Sequence, residues 1–174
     1  MATNKWNTAS NQVVHTVGNL TSTHKYVTDL ANGALFTEDV DNFVLAELGF
    51  NANGERTAKN LSAATVEGVL VAAPERRYLG EALKEFYVGA GERGRVVFLT
   101  KGLRFQSSAF AKGAGVTAIE EGMFAHFDVT TKKFLVHDGT HAAYATAKNK
   151  FLVLTGDDNL YHGLGVPAIH LEVI

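Results

Sequence analysis

Turn signals interrupt this chain about every 8 to 12 residues, which leaves room for strands and very little room for helices. Asn32-Gly33, Asp41-Asn42, Asn53-Gly54, Lys101-Gly102, Asp138-Gly139 and Asp157-Asp158 separate apolar runs such as Phe43–Leu48, Thr65–Ala73, Arg95–Thr100 and Lys150–Thr155. Runs of that length, rich in Val, Leu and Phe, fit a pleated and half-buried surface. The best-defined unit is Glu121 to Gly139. There Met123, Ala125 and Phe127 alternate with His126 and Asp128, the polar group Thr130 to Lys133 makes a turn, and Phe134-Leu135-Val136 resumes. This pattern predicts a hairpin with Phe127 inside and His126 facing water. The C-terminus alternates in the same way, with Ile169, Leu171 and Val173 on one face and His170 and Glu172 on the other.

One segment reads as a helix. Pro74 suits a first helical position, Glu75 the first turn, and Tyr78, Leu79, Ala82, Leu83, Phe86 and Tyr87 follow at helical spacing. His141 to Lys148 is alanine-rich with Tyr144 and contains no helix cap. The expected class is therefore mainly β (α+β): a small β-barrel or sandwich with one short helix and an extended N-terminal arm. At 174 residues the chain should bury roughly 70% of its unfolded surface.

Two parts are expected, an arm over residues 1–25 and a single β-rich domain over 26–174. The arm is rich in Asn, Thr and Ser and cannot close a core. Its anchors for a partner are Lys5, Trp6, Val13, Val14 and Val17. Residues 1–28 carry +2 and no acid, the remainder −4, so a basic arm sits on an acidic body. The overall charge of −2 argues against a nucleic-acid or membrane-surface binder. Cysteine is absent, excluding disulfides, thiolate metal sites and a cysteine nucleophile. The opening MATNKWNTASNQ lacks the apolar centre of a signal peptide, which points to synthesis in a cytoplasm.

Candidate chemistry is sparse. Gly89-Ala90-Gly91-Glu92-Arg93-Gly94 spells a dinucleotide fingerprint, but that motif needs a strand before it and a helix after it, and RVVFLT after it reads as a strand. A turn is expected. His137 and His141 have the spacing of helical metal ligands, but Asp138-Gly139 between them makes a turn. Glu38, Asp39 and Asp41 lack the pattern of a calcium loop. No serine elbow exists, and the neighbours Glu120-Glu121 and Asp157-Asp158 cannot face one another on a strand. The expectation is no enzyme: no catalytic residue, no cofactor and no metal ligand.

The polar arm, Asp29-Leu30-Ala31-Asn32-Gly33-Ala34-Leu35, the strand end Val69-Leu70-Val71-Ala72-Ala73-Pro74-Glu75, and Gly91-Glu92-Arg93-Gly94-Arg95-Val96-Val97-Phe98-Leu99 leading to Lys101-Gly102 resemble small structural proteins of tailed bacteriophages, the capsid decoration or cement proteins. The likeness runs over residues 13 to 140. It implies a virion protein on the capsid exterior, made in the host bacterial cytoplasm, with the major capsid protein and copies of itself, as a trimer, for partners. The arm would be the grip. A head-fibre base or tail component is the near alternative. A cytosolic ligand-binding β-barrel, with a pocket lined by Phe98, Phe105, Phe127 and Phe134, is the distant one.

Overall fold

The computed structural model describes residues 15–22, 24–75, 83–159 and 166–174. Its regular structure is mainly short strands, as the turn spacing predicts. A first strand, β1 (Gly18–Leu20), is followed by β2 (Ala34–Phe36), β3 (Val40–Asp41), β4 (Leu45–Phe50), β5 (Arg56–Asn60), β6 (Val69–Val71), β7 (Tyr87–Val88), β8 (Arg93–Gly94) and β9 (Val96–Phe98). Then come β10 (Arg104–Ser107), β11 (Phe110–Lys112), β12 (Phe124–Asp128), β13 (Lys133–His137), a helix α1 (Ala142–Thr146), β14 (Lys150–Asn159) and β15 (Pro167–Val173).

The first large sheet has the order β8-β2-β5-β4-β6-β9. Its two edge strands, β8 and β9, are separated in the chain by Arg95 alone, so they are one bent strand and the sheet must roll up to satisfy both pairings. Arg95 seals the seam by accepting the Ala72 N–H at 3.1 Å. The second sheet has the order β1-β10-β15-β14-β12-β13-β11, and here β10 and β11 are separated only by Ser108 and Ala109. The same argument rolls it into a second barrel, with β1 laid along β10.

The two barrels have the same winding. Naming the strands of each in chain order first to fifth, the first runs parallel to the third, the third antiparallel to the second, and the second to the fourth. The fourth then pairs antiparallel with the fifth, and the fifth with the first. Barrel one uses β2, β4, β5, β6 and the β8/β9 strand. Barrel two uses the β10/β11 strand, β12, β13, β14 and β15. Along the chain Leu99 to Leu103 link them, with Gly102 turning the link at φ +88, a conformation side chains resist.

A continuous core runs through both, from Phe36, Leu45 and Leu70 to Phe105, Phe134 and Phe151. In barrel two the rings touch: Phe134 lies 5.5 Å from Phe105, 5.1 Å from Phe127 and 5.2 Å from Phe151. Phe105, Phe127 and Phe134 therefore fill the interior rather than line a cavity, and Phe98 is half-buried at the end of β9.

The hairpin of β12 and β13 forms in the expected place, with Phe127 opposite Phe134. The expected wet face does not: Ala125, His126 and Phe127 are all buried, because α1 and the turn before it cover the outer side. The short helix is also elsewhere than expected. It lies at Ala142–Thr146, where His141 acts as the cap, accepting the Ala143 N–H on its imidazole. Of the 74–87 segment, Pro74 and Glu75 are in irregular backbone, Leu83–Glu85 form one 3-10 turn, Phe86 is outside any helix and Tyr87 begins β7, while 76–82 lie outside the described residues.

Candidate functional site

Among the described residues, two polar clusters lie at the arm junction and beneath α1. The first is the junction where the arm meets the body. His15 Nδ1 lies 2.5 Å from Asp41 Oδ1, and the Thr16 hydroxyl donates to Asp41 Oδ2 at 3.2 Å. The Val17 N–H donates to the Ser108 hydroxyl at 2.9 Å, and the Ser108 N–H returns a bond to the Val17 carbonyl. Gly18–Leu20 then pairs with β10. Gly18 is required there, because a β-carbon would overlap the Gln106 carbonyl and the Phe43 ring. Burial raises the Asp41 carboxyl, but the His15 and Thr16 bonds outweigh it and hold Asp41 below its ordinary value. A groove of about 420 Å³ opens beside this junction, its walls including His15, Asp41, Phe110, Lys132, Lys133 and Pro167.

The second place is a buried imidazole network. His126 Nδ1 and His137 Nε2 are 3.0 Å apart, and the Gly139 N–H donates to His137 Nδ1 at 3.0 Å. That backbone donor fixes the tautomer: His137 carries its proton on Nε2 and gives it to His126 Nδ1. The His141 ring stacks 5.5 Å from His137, and Tyr144 packs edge-on against it at 4.7 Å. Burial, with the His126 and His141 charges second, lowers His137 to about 4; Asp138 opposes the shift. Burial and His141 likewise lower His126, opposed by Asp128. Both rings are neutral at pH 7.

Among the described residues no group of three or more His, Asp or Glu side chains is placed to hold a metal ion, and the His137/His141 pair spans a turn, as its sequence implies. The acids Glu38, Asp39 and Asp41 are each engaged, by the Asn60 amides, the Ala90 N–H and His15 respectively. Gly89 to Gly94 is a turn running into β8. Its N–H groups, which a pyrophosphate would need, are already given away: Gly89 to Glu92, Ala90 to Asp39 and Gly91 to the Phe36 carbonyl. His170 is half-buried on β15 and bonds Thr21.

Of the five arm anchors, Val17 is buried against Ala168 and Val166, while Lys5, Trp6, Val13 and Val14 lie outside the described residues, as does His162. Sequence reasoning did not pair His126 with His137. The signal was present, since in the hairpin His126 faces Leu135 and His137 is two residues further on, a diagonal neighbour on the same face. No comparable signal marks Ser108 or Asp41, whose partners are 91 and 26 residues away.

Among the described residues no helix is long and apolar enough to cross a membrane. No solved structure matches this chain. The chain is 46% identical over 164 residues to the SPbeta prophage-derived uncharacterized protein YonC of Bacillus subtilis (strain 168), an alignment covering 92% of this chain and 91% of that protein. The model of the YonC prophage protein family matches residues 11–174, so a phage origin underlies the likeness, and this chain belongs to that prophage-encoded family.

Proposed function

We propose that this protein is a non-enzymatic virion structural protein that binds the outer surface of a phage capsid and stabilises contacts between capsomers. The observation that carries the reading is membership of a prophage family by a chain built as two closed barrels with filled cores and a basic polar arm tied down at their junction. Closed barrels leave few open strand edges, which suits a part exposed to solvent and to crowded neighbours. Thr16 and Val17 are anchored at the junction, and Lys5, Trp6, Val13 and Val14, which precede them in sequence, are the grip. The partners are the major capsid protein and further copies of this chain, as a trimer. The protein is made in the bacterial cytoplasm and ends on the capsid exterior.

The test uses particles of the phage that carries this gene. Undecorated heads are mixed with the full chain and with a chain beginning at residue 15, then sedimented, and labelled particles are viewed by electron microscopy. The full chain should co-sediment and label heads, and the shortened chain should lose most of its binding. Label confined to tails, or no binding to either, overturns the proposal.

A further inference from the structure

The imidazole network sits beneath the segment that ties barrel two to barrel one. From His137 the chain passes through Gly139, whose N–H bonds His137, to His141, which caps α1, and on to Ala147, whose N–H bonds the Ala143 carbonyl. The next two residues grip the other barrel. The Lys148 N–H donates to the Ala64 carbonyl at 2.9 Å, Asn149 Nδ2 to the Val66 carbonyl at 2.9 Å, and the Gly68 N–H to Asn149 Oδ1 at 3.0 Å. Asn149 is buried.

The network tolerates one charge state. His137 Nδ1 accepts from Gly139 and His126 Nδ1 accepts from His137, so a proton added at either nitrogen sets two donors face to face. The two nearby carboxylates offset the added charge only in part. Asp128, on the same strand as His126, is held by Thr130 and Thr131 and lies opposite Lys133 in the hairpin register. Asp138, beyond β13, is held by Thr140. Lys150 on β14 is the register partner of His126, and its ammonium lies 4.9 Å over the Tyr144 ring, a cation on the side of β12 away from β13. His141 adds a third imidazole and Tyr144 an uncharged wall.

We propose that the His126–His137 pair is an acid-sensitive latch: neutral, it holds residues 138–149 so that Lys148 and Asn149 clasp barrel one, and protonated, it releases that clasp without unfolding either barrel. The opened state takes up a proton with an ordinary affinity, near 6.5, whereas the closed state resists it down to about 4. Opening therefore becomes more favourable by up to about tenfold per pH unit between those values, about 100-fold from pH 7 to pH 4.

Amide hydrogen exchange resolved by residue on the full chain reads this directly, after correction for intrinsic rates. Protection at Gly68, Ala147 and Lys148 should fall by about 100-fold between pH 7 and pH 4 and stay well below that of Val71 and Val173, which exchange only when a barrel opens. One common free energy of opening for all five, or no fall at any, overturns the latch. In His137→Gln the amide can still donate to His126 but does not titrate, so the pH dependence at Lys148 should flatten; an unchanged slope overturns it. Nitrogen-detected titration of the wild-type imidazoles is independent of that variant's folding. It should find His137 as the Nε2–H tautomer ionising below pH 5, and ionisation near 6.5 refutes the proposal.

Discussion

Replacing Asn149 tests how firmly the two barrels are joined. The side chain is buried and makes two bonds to barrel one, accepting from the Gly68 N–H at 3.0 Å and donating to the Val66 carbonyl at 2.9 Å. Asn149→Ala leaves both backbone groups without their partner. Gly68 is buried, so its N–H loses about 1–3 kcal/mol, while Val66 is half-buried and its carbonyl can reach water at a cost nearer 1 kcal/mol. The sum is about 2–4 kcal/mol. For a chain of this size each kcal/mol is worth about 2–4 °C of Tm, so the melting temperature should drop by about 4–16 °C. Asn149→Asp should be no milder, because its second oxygen would face the Val66 carbonyl instead of donating to it. Urea unfolding at pH 7.5, followed by far-ultraviolet circular dichroism, gives both free energy and slope. A loss of cooperativity would show the barrels melting separately once unclasped. If Asn149→Ala unfolds within 0.5 kcal/mol of the wild type, the junction does not hold the molecule together and the reasoning fails.

Phe134→Ala should cost about 3–5 kcal/mol by the same assay, because the ring is fully buried among three others, whereas Phe50→Ala, 67% exposed at a hairpin tip, should stay within about 0.5 kcal/mol. His126→Ala should cost more than about 1 kcal/mol, since it opens a cavity and strips the His137 N–H of its acceptor; a neutral result would mean the ring faces water after all. For pH, the folded His137 resists protonation to about 4 while the unfolded chain takes the proton near 6.5, so stability is complete above 6.5 and declines as pH falls. That loss reaches about 3 kcal/mol at pH 4, and urea midpoints that stay level between pH 6.5 and 4.5 would contradict it. Gly18→Ala should loosen β1 from β10 and speed proteolysis ahead of Leu20, with the barrels intact; unchanged cleavage would mean the strand accommodates the methyl group.

The class of fold was legible because short runs and regular turns leave few alternatives to a closed or layered β architecture. The hairpin at β12 and β13 and the alternation of β15 were legible for the same local reason, since both depend on neighbours in sequence. What failed depended on what covers a surface. His126 alternates as a solvent-facing residue should, yet α1 and His141 fold over it, and nothing in residues 121–139 announces that cover. The helix was misplaced because His141 is an unconventional cap, accepting the Ala143 N–H on a ring nitrogen instead of a hydroxyl or carboxylate oxygen. The junction bonds of Asp41, Ser108 and Asn149 join residues 26 to 91 apart, and single-residue pattern reading has no access to such distances.

The repeated winding was invisible for a different reason. Winding is set by which strands pair, and the two barrels meet the same pairing with different residues. The hairpin between second and third strands is closed by Asn51 to Glu55 in barrel one and by Val129 to Lys132 in barrel two. The interior is Leu45, Leu70 and Val96 in one and the touching rings of Phe105, Phe134 and Phe151 in the other. Each barrel also closes by bending a single strand, but the bent strand is the last in barrel one and the first in barrel two, so the bends fall at 93–98 and 104–112 with only the Leu99–Leu103 link between them. That placement puts both seams beside the link and lets Ser107 reach back to the Phe43 carbonyl, and Phe43 to the Val71 carbonyl, drawing the barrels onto one core. Phe43 is held there at φ +52, a strain a phenylalanine accepts only when both its backbone groups are bonded. The molecule is thus joined at several points, the link, Phe43, Asn149 and the base of the arm at Val17 and Ser108, and each is a place where one change in sequence would be felt by both barrels at once.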